Sequence, residues 1–261
     1  MDLSRVPLAR IRARLDANGS TLSVRRLIAR LRGDPRRGAQ RLADSLERNL
    51  ERRFAESRRV SGLFALRRQL QRGGVRLVAG VDEVGMGPLA GPVVAAAVVL
   101  PAHVVLPGLN DSKKLGPAAR ERLAREITRQ AEVFSVAEVS AVQVDRLNVY
   151  HAGLEAMRRA VIGLEPAPDH VIVDARTIPG ISIAQTPLIG GDSRDGSVAA
   201  ASIVAKVHRD ALMERLDQRY PGYGFVDHKG YGTKKHLAAL RRLGPSPEHR
   251  RSFAPVAALA P

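Results

Sequence analysis

The chain has no cysteine and no tryptophan, and its four Tyr and five Phe make up only 3% of 261 residues. Without cysteine there can be no disulfide, thiolate nucleophile or cysteine-based zinc site. A thiol-free chain suits a reducing compartment, and a cytoplasmic location is the expectation. With so few aromatics, the core has to be built from Leu, Val, Ile and Ala. No apolar run reaches the length of a membrane span, and Arg5, Arg10, Arg12 and Arg14 interrupt any secretory apolar region. No membrane association is therefore expected.

Lysine is missing from the first 75 residues, where 19 arginines stand against 7 carboxylates for a net charge of +12. The whole chain carries +16, which leaves +4 for everything after residue 75. A positive charge concentrated in one segment points to a polyanionic partner, and nucleic acid is the commonest. An Arg-rich coding bias that merely solvates helices would look the same from charge alone.

Residues 1–74 read as a basic helical extension. Pro7 suits the first turn of a short helix ending near Asn18-Gly19. Ser23 is a candidate cap for a second helix with Val24, Leu27, Ile28 and Leu31 on one face. A turn at Asp34-Pro35 precedes a longer helix from about Gly38 to Arg59, and a further stretch through Leu63, Leu66 and Leu70 ends at a candidate linker, Gly73-Gly74. From residue 75 to 261 strands alternate with helices. Strands are expected at Leu77–Val84, Val93–Leu100, Val133–Val139, His170–Asp174 and Ile181–Gln185. Helices are expected from Gly116 to Gln130, Asn148 to Gly163, Ser197 to Arg219 and Thr233 to Leu243. Two adjacent strands followed by strands separated by helices indicate an α/β domain with a mixed sheet.

The chain is organised around Leu77–Leu100, LVAGVDEVGMGPLAGPVVAAAVVL. An apolar run carries Asp82-Glu83 to its end, a glycine-proline connection follows, and a second apolar run comes straight after. An acidic pair at a strand end is, taken alone, more often simply solvated. Two further acids change that: Asp174 ends the short apolar strand HVIVD, and Asp192 follows Gly190-Gly191 before an Ala-rich helix. Ends of neighbouring strands converge in an α/β sheet, so these acids can gather at one spot. Gathered carboxylates repel unless cations neutralise them. Oxygen ligands with no His or Cys among them select Mg²⁺ or Mn²⁺ over zinc. Two such ions roughly 3.5–4 Å apart are a device for phosphodiester hydrolysis. Gly85 and Gly87 leave backbone uncovered beside the acids, either for close approach of a substrate or only to shape a turn. Lys113 and Lys114 lie on a loop from which either can reach phosphate or remain solvated.

Val81–Val93 (VDEVGMGPLAGPV) resembles the opening motif of bacterial ribonuclease HII. So do Asn110–Leu115 (NDSKKL), Val171–Asp174, Gly191-Asp192, Ala199–Asp210 (AAASIVAKVHRD), Tyr220–His236 (YPGYGFVDHKGYGTKKH) and Gly244-Pro245-Ser246. The blocks occur in order over about residues 76–255. Asp34–Gln40 (DPRRGAQ) resembles part of a helical extension that some bacterial members carry. The resemblance implies an RNase H-like fold: a five-stranded mixed sheet flanked by helices, with a C-terminal helical segment. It implies endonucleolytic cleavage of the RNA strand of RNA–DNA hybrids and cleavage 5′ to a lone ribonucleotide in duplex DNA, leaving a 3′-hydroxyl and a 5′-phosphate. By motif position it implies Asp82, Glu83, Asp174 and Asp192 as the metal-binding, catalytic acids, with Mg²⁺ or Mn²⁺ as the cofactor. Gly85-Met86-Gly87 falls on the motif that reads the 2′-hydroxyl, and Tyr231 on the tyrosine that packs on the sugar beyond the junction. Met86 stands where the family usually has Arg or Lys, so any phosphate contact by that side chain is lost. The protein is expected to act as a monomer.

Three other readings compete. A ribonuclease HIII-like hybrid nuclease shares the implied fold, but Asp192 and the helical N-terminus argue against it. A non-catalytic hybrid-binding protein would not need all four acids. A small-molecule phosphohydrolase fits the acids but not the basic arm.

Overall fold

The computed structural model describes residues 21–259. The expected helix from Pro7 to Asn18 lies outside the described residues. The chain divides into two compact units between Ser61 and Gly62. In the first, α1 (Thr21–Arg32) and α2 (Arg37–Gly62) bury a small cluster of their own, with Val24, Ile28 and Leu31 against Ala39, Ala43 and Leu50. Ser23 is not the expected cap, because α1 already includes Thr21 and Leu22. The turn between the helices is held by Asp34. Its buried carboxylate accepts the Arg36 backbone N–H at 3.0 Å and the Arg36 guanidinium at 2.7–3.2 Å.

The second unit begins with α3 (Ala65–Arg72). Leu66 and Leu70 of this helix pack on Val78, Ile172 and Val198, which ties the helix to the sheet. The sequence expectation put the linker after this helix, at Gly73-Gly74. The strands are β1 (Val78–Val84), β2 (Val93–Val99), β3 (Val133–Val139), β4 (His170–Asp174) and β5 (Ala184–Leu188), in the spatial order β3-β2-β1-β4-β5. β1 runs antiparallel to β2 and parallel to β4, so the sheet is mixed. β2 is buried along its whole length, as its unbroken Val/Ala run requires. β5 begins at Ala184, later than the expected strand at Ile181. Ile181 and Ile183 pack against the core, but pairing starts at His170↔Ala184. Apolar character there marks a core contact and not the ladder. Pro187 is tolerated because β5 is an edge strand.

The remaining helices are α4 (Pro117–Gln130), α5 (Ala141–Leu147), α6 (Val149–Ile162), α7 (Gly191–Arg194), α8 (Gly196–Arg219), α9 (Phe225–His228), α10 (Lys234–Leu243) and α11 (Ala254–Ala257). The sequence expectation missed α5, although Ser140 and Gln143 form a capping box at its start. α6 packs on one sheet face through Ala152, Ala156, Met157 and Ala160, against Ala79, Val81, Ala95 and Ala97. The N-terminal half of α8 lies on the other face, hard against β1. A Cβ on Gly80 would overlap the Ser197 and Val198 backbone, so only glycine admits the helix at this distance. Side chains alternate along β1. Ala79, Val81 and Glu83 therefore share the α6 face, while Gly80 and Asp82 share the α8 face.

Candidate metal centre

The parallel neighbours β1 and β4 end side by side. Oxygens of Asp82, Glu83 and Asp174 lie within 4.8 Å of one another. Each acid is held differently. Asp82 is buried, accepts the Glu83 backbone N–H at 2.8 Å and is hydrogen-bonded by the Ser202 hydroxyl from α8. The Ser112 and Ser202 hydroxyls are 2.9 Å apart. Ser112 and Ser202 thus form a buried hydroxyl pair beside Asp82. Glu83 points to the other face, where Arg176 Nη1 donates to Oε1 at 2.9 Å. Ala175, at the positive φ of 54°, turns the chain after Asp174 so that Arg176 reaches back to Glu83. The Arg176 guanidinium also lies over the Tyr150 ring, 5.1 Å from its centroid. Asp174 accepts the Gly191 N–H at 2.7 Å.

Burial raises the Asp82 pKa well above the ordinary 3.8, and repulsion from Glu83 and Asp174 adds to it. Burial likewise raises Glu83, partly offset by Arg176, and raises Asp174, partly offset by the Gly191 N–H. All three perturbations penalise negative charge crowded out of water. A divalent cation relieves each of them. Glu83 Oε2 is buried and has no hydrogen-bond partner, and the donor set is entirely carboxylate oxygen. These residues fit a hard divalent cation.

The other expected residues divide. Asp192 sits beside Asp174 closely enough to raise its pKa, but it is not among the three mutually close acids; its Oδ2 accepts Lys113 Nζ at 3.0 Å. Lys113 therefore reaches the rim of the acid cluster, and the bond to Asp192 raises its pKa. Lys114 is exposed, with its Nζ 4.0 Å from Asp111. Gly85 adopts φ 92°, and a Cβ there would collide with the Arg209 guanidinium. A Cβ on Gly87 would meet Tyr231 Cε1 at 3.6 Å, so the half-exposed Tyr231 ring stands against the glycine loop. Met86 turns inward: its side chain packs on the α6-face core, with Sδ close to Gly153.

Two fully buried arginines brace this loop from behind and were not singled out in the sequence. Arg250 donates to the carbonyls of Gly85 (2.6 Å), Met86 (3.0 Å) and Gly91 (2.9 and 3.1 Å). Arg209 donates to Pro92, Lys229 and Ala90 at 2.9–3.2 Å. Burial pushes the Arg250 pKa down to about 9, with repulsion from Arg209 adding to it. His228, His236 and His249 are buried together. Each takes a partner within five residues of itself, Tyr223, Tyr231 and Ser246 respectively, and the His236–His249 contact at 3.0 Å joins the two stretches.

A mixed five-stranded sheet covered by helices on both faces, with carboxylates converging at the ends of two central parallel strands, defines a ribonuclease H-like, divalent-cation-dependent nuclease. A family model described as ribonuclease HII matches residues 79–256. The chain belongs to the ribonuclease HII family and is a ribonuclease H enzyme. It is 49% identical over 255 residues to ribonuclease HII of Anaeromyxobacter sp. (strain Fw109-5), covering 98% of this chain and 81% of that one. It is 51% identical over 226 residues to ribonuclease HII of Geobacillus thermodenitrificans, covering 87% of each. Among solved structures it is similar to ribonuclease H2 of Pyrococcus horikoshii, with a TM-score of 0.59 and 26% identity over 70% of this chain and 97% of that one. The Anaeromyxobacter match extends across nearly the whole chain, so the N-terminal segment has a counterpart there.

Proposed function

We propose that this ribonuclease H cleaves the RNA strand of RNA–DNA hybrids and cuts duplex DNA on the 5′ side of a single embedded ribonucleotide, leaving a 3′-hydroxyl and a 5′-phosphate. The observation that carries the reading is the juxtaposition of the Asp82–Glu83–Asp174 cluster with the Gly85–Gly87 loop and the Tyr231 ring. Asp82, Glu83 and Asp174 hold divalent cations, with Asp192 completing the set on the Asp174 side. Bound there, a pair of Mg²⁺ or Mn²⁺ ions supplies activation of water and stabilisation of the leaving oxygen.

The chain's own groups do the positioning. Arg250 engages only carbonyls of the glycine loop, which leaves the loop's N–H groups out of that brace. Backbone at Gly85–Gly87 hydrogen-bonds the ribose 2′-hydroxyl, which DNA lacks. Leaving those groups unpaired costs about 1–3 kcal/mol, a penalty that a DNA strand incurs and RNA does not. Tyr231 packs on the next sugar and favours a deoxyribose there, which selects RNA–DNA junctions. Lys113 contacts a phosphate at the rim. Met86, packed inward, serves through its backbone. Arginines of the N-terminal unit add sequence-independent affinity for the duplex.

The test uses purified full-length protein with Mg²⁺, on duplex DNA holding one ribonucleotide and on the same duplex in all-DNA form. A single cut 5′ to the ribonucleotide is expected, with no cut in the all-DNA duplex. Asp174→Asn keeps the side-chain shape but removes ligand charge, and activity is expected to fall by a factor on the order of 10³ with the fold retained. Comparable cutting of both duplexes, or near-normal turnover by a folded Asp174→Asn protein, would sink the reading.

A further inference from the structure

Outside the acid cluster, His228, His236 and His249 form a compact buried group of titratable side chains. All three are buried against Phe225 and Tyr223, with the His228 and His236 rings stacked 4.3 Å apart. Every ring nitrogen among them has a partner, and the partners dictate the tautomers. A carbonyl can only accept and a backbone N–H can only donate. His236 Nδ1 lies 2.9 Å from the Tyr231 carbonyl, so Nδ1 carries the proton. His249 Nδ1 faces the Ser246 backbone N–H at 3.0 Å and its hydroxyl at 2.8 Å, so Nδ1 is bare and Nε2 carries the proton. The two Nε2 atoms are 3.0 Å apart. One proton fits between them, and it belongs to His249. His228 follows the same logic, donating from Nε2 to the Tyr223 carbonyl at 2.9 Å and accepting the Gly230 N–H at Nδ1 at 3.2 Å.

The bonds form one directed chain, from Ser246 to His249 to His236 to the Tyr231 carbonyl. Burial holds both His236 and His249 below the ordinary 6.5. The chain ends on the residue whose ring stands against Gly87, and the Thr233 N–H shares the same carbonyl at 2.8 Å.

We propose that His236, locked in its Nδ1–H tautomer by His249, is a positioning residue that sets the Tyr231 ring against the glycine loop. The proposal rests on the reading of Tyr231 as a substrate contact, and its test separates the two. In the full-length protein labelled with ¹⁵N-histidine, two-bond ¹H–¹⁵N spectra at neutral pH are expected to show His236 as the Nδ1–H tautomer and His249 and His228 as Nε2–H tautomers. A protonated or Nε2–H His236 overturns the relay, whatever the variants do.

The activity arm uses two amides. His236→Asn places an N–H where Nδ1–H stood; His236→Gln places its amide at the Nε2 position and abandons the carbonyl. Cleavage of the one-ribonucleotide duplex by His236→Asn is expected to stay within about threefold of the parent kcat/KM. His236→Gln is expected to lose about tenfold, as the loss of one buried hydrogen bond implies. In a Tyr231→Ala background, His236→Gln is expected to add nothing further. Equal losses for the two amides, or additive losses with Tyr231→Ala, overturn the positioning role alone. Normal cutting by Tyr231→Ala overturns the substrate role of Tyr231 and the positioning role with it, while the spectra still report the tautomers.

Discussion

Glu83 has one oxygen engaged by Arg176 and the other buried without a partner, and that asymmetry makes Arg176 a competitor for the cation. Removing its charge raises the local negative potential and frees Oε1. Arg176→Gln is therefore expected to bind Mg²⁺ several-fold more tightly by calorimetry, and unchanged or weaker binding would contradict this. A second residue-scale prediction concerns acid. Burial and repulsion from His236 lower the His249 pKa from 6.5 to about 4, with His228 and Arg251 also opposing its charge. Between those values the unfolded chain binds a proton that the folded chain refuses, so stability rises with pH and is lost as pH falls from 6.5 towards 4. Integrated over that range, the group accounts for up to about 3 kcal/mol of stability lost. Urea unfolding at pH 7 and pH 5 is expected to show a smaller acid loss in His249→Gln than in the parent; equal losses would refute the assignment. Among residues, Asp82, Glu83 and Asp174 were legible because each ends a run of apolar strand residues. Arg209 and Arg250 were not, because 42 Lys and Arg look alike until burial separates them.

At the scale of elements, the approach of α8 to β1 sets the site. Gly80 lets the Ser197–Val198 backbone lie directly on the strand, and one turn further along α8, Ser202 reaches Asp82. Gly80→Ala would push helix and strand apart, an overpacking cost of about 1–3 kcal/mol. Denaturant unfolding is expected to show that loss together with reduced cleavage, since Ser202 moves with the helix; full stability and activity would show that the close approach is not needed. Long helices and buried strands were legible from periodicity. The short elements α5, α7, α9 and α11 were not anticipated, because four to seven residues carry too little periodic pattern. β5 was misplaced because Ile181 and Ile183 mark a core contact without a ladder.

At the scale of the whole molecule, charge and chemistry are carried by different parts of the chain. The +12 of residues 1–75 precedes, in sequence, a catalytic domain of nearly balanced charge. Arg52, Arg53 and Arg58 are exposed on α2. Replacing all three with Gln is expected to weaken hybrid binding and to lower the slope of log affinity against log salt by up to about 0.9 for each phosphate no longer neutralised. The cut should stay at the same bond. An unchanged salt slope would assign those arginines to something other than nucleic acid.

The sequence by itself determined the family, the two central strands and the acids that end them. Apolar runs of strand length have few alternatives in water, and a charged group can leave such a run only at its end. It also determined that no thiol chemistry takes place here. The tertiary structure alone decided how those acids are used. Parallel pairing of β1 with β4 joins Asp82 and Asp174 across a long stretch of chain, and side-chain alternation sends Asp82 to Ser202 and Glu83 to Arg176. It also decided that Lys113 pairs with Asp192 at the rim of the cluster, and which proton each buried histidine keeps. Those outcomes depend on which groups are excluded from water together, and local sequence does not encode that.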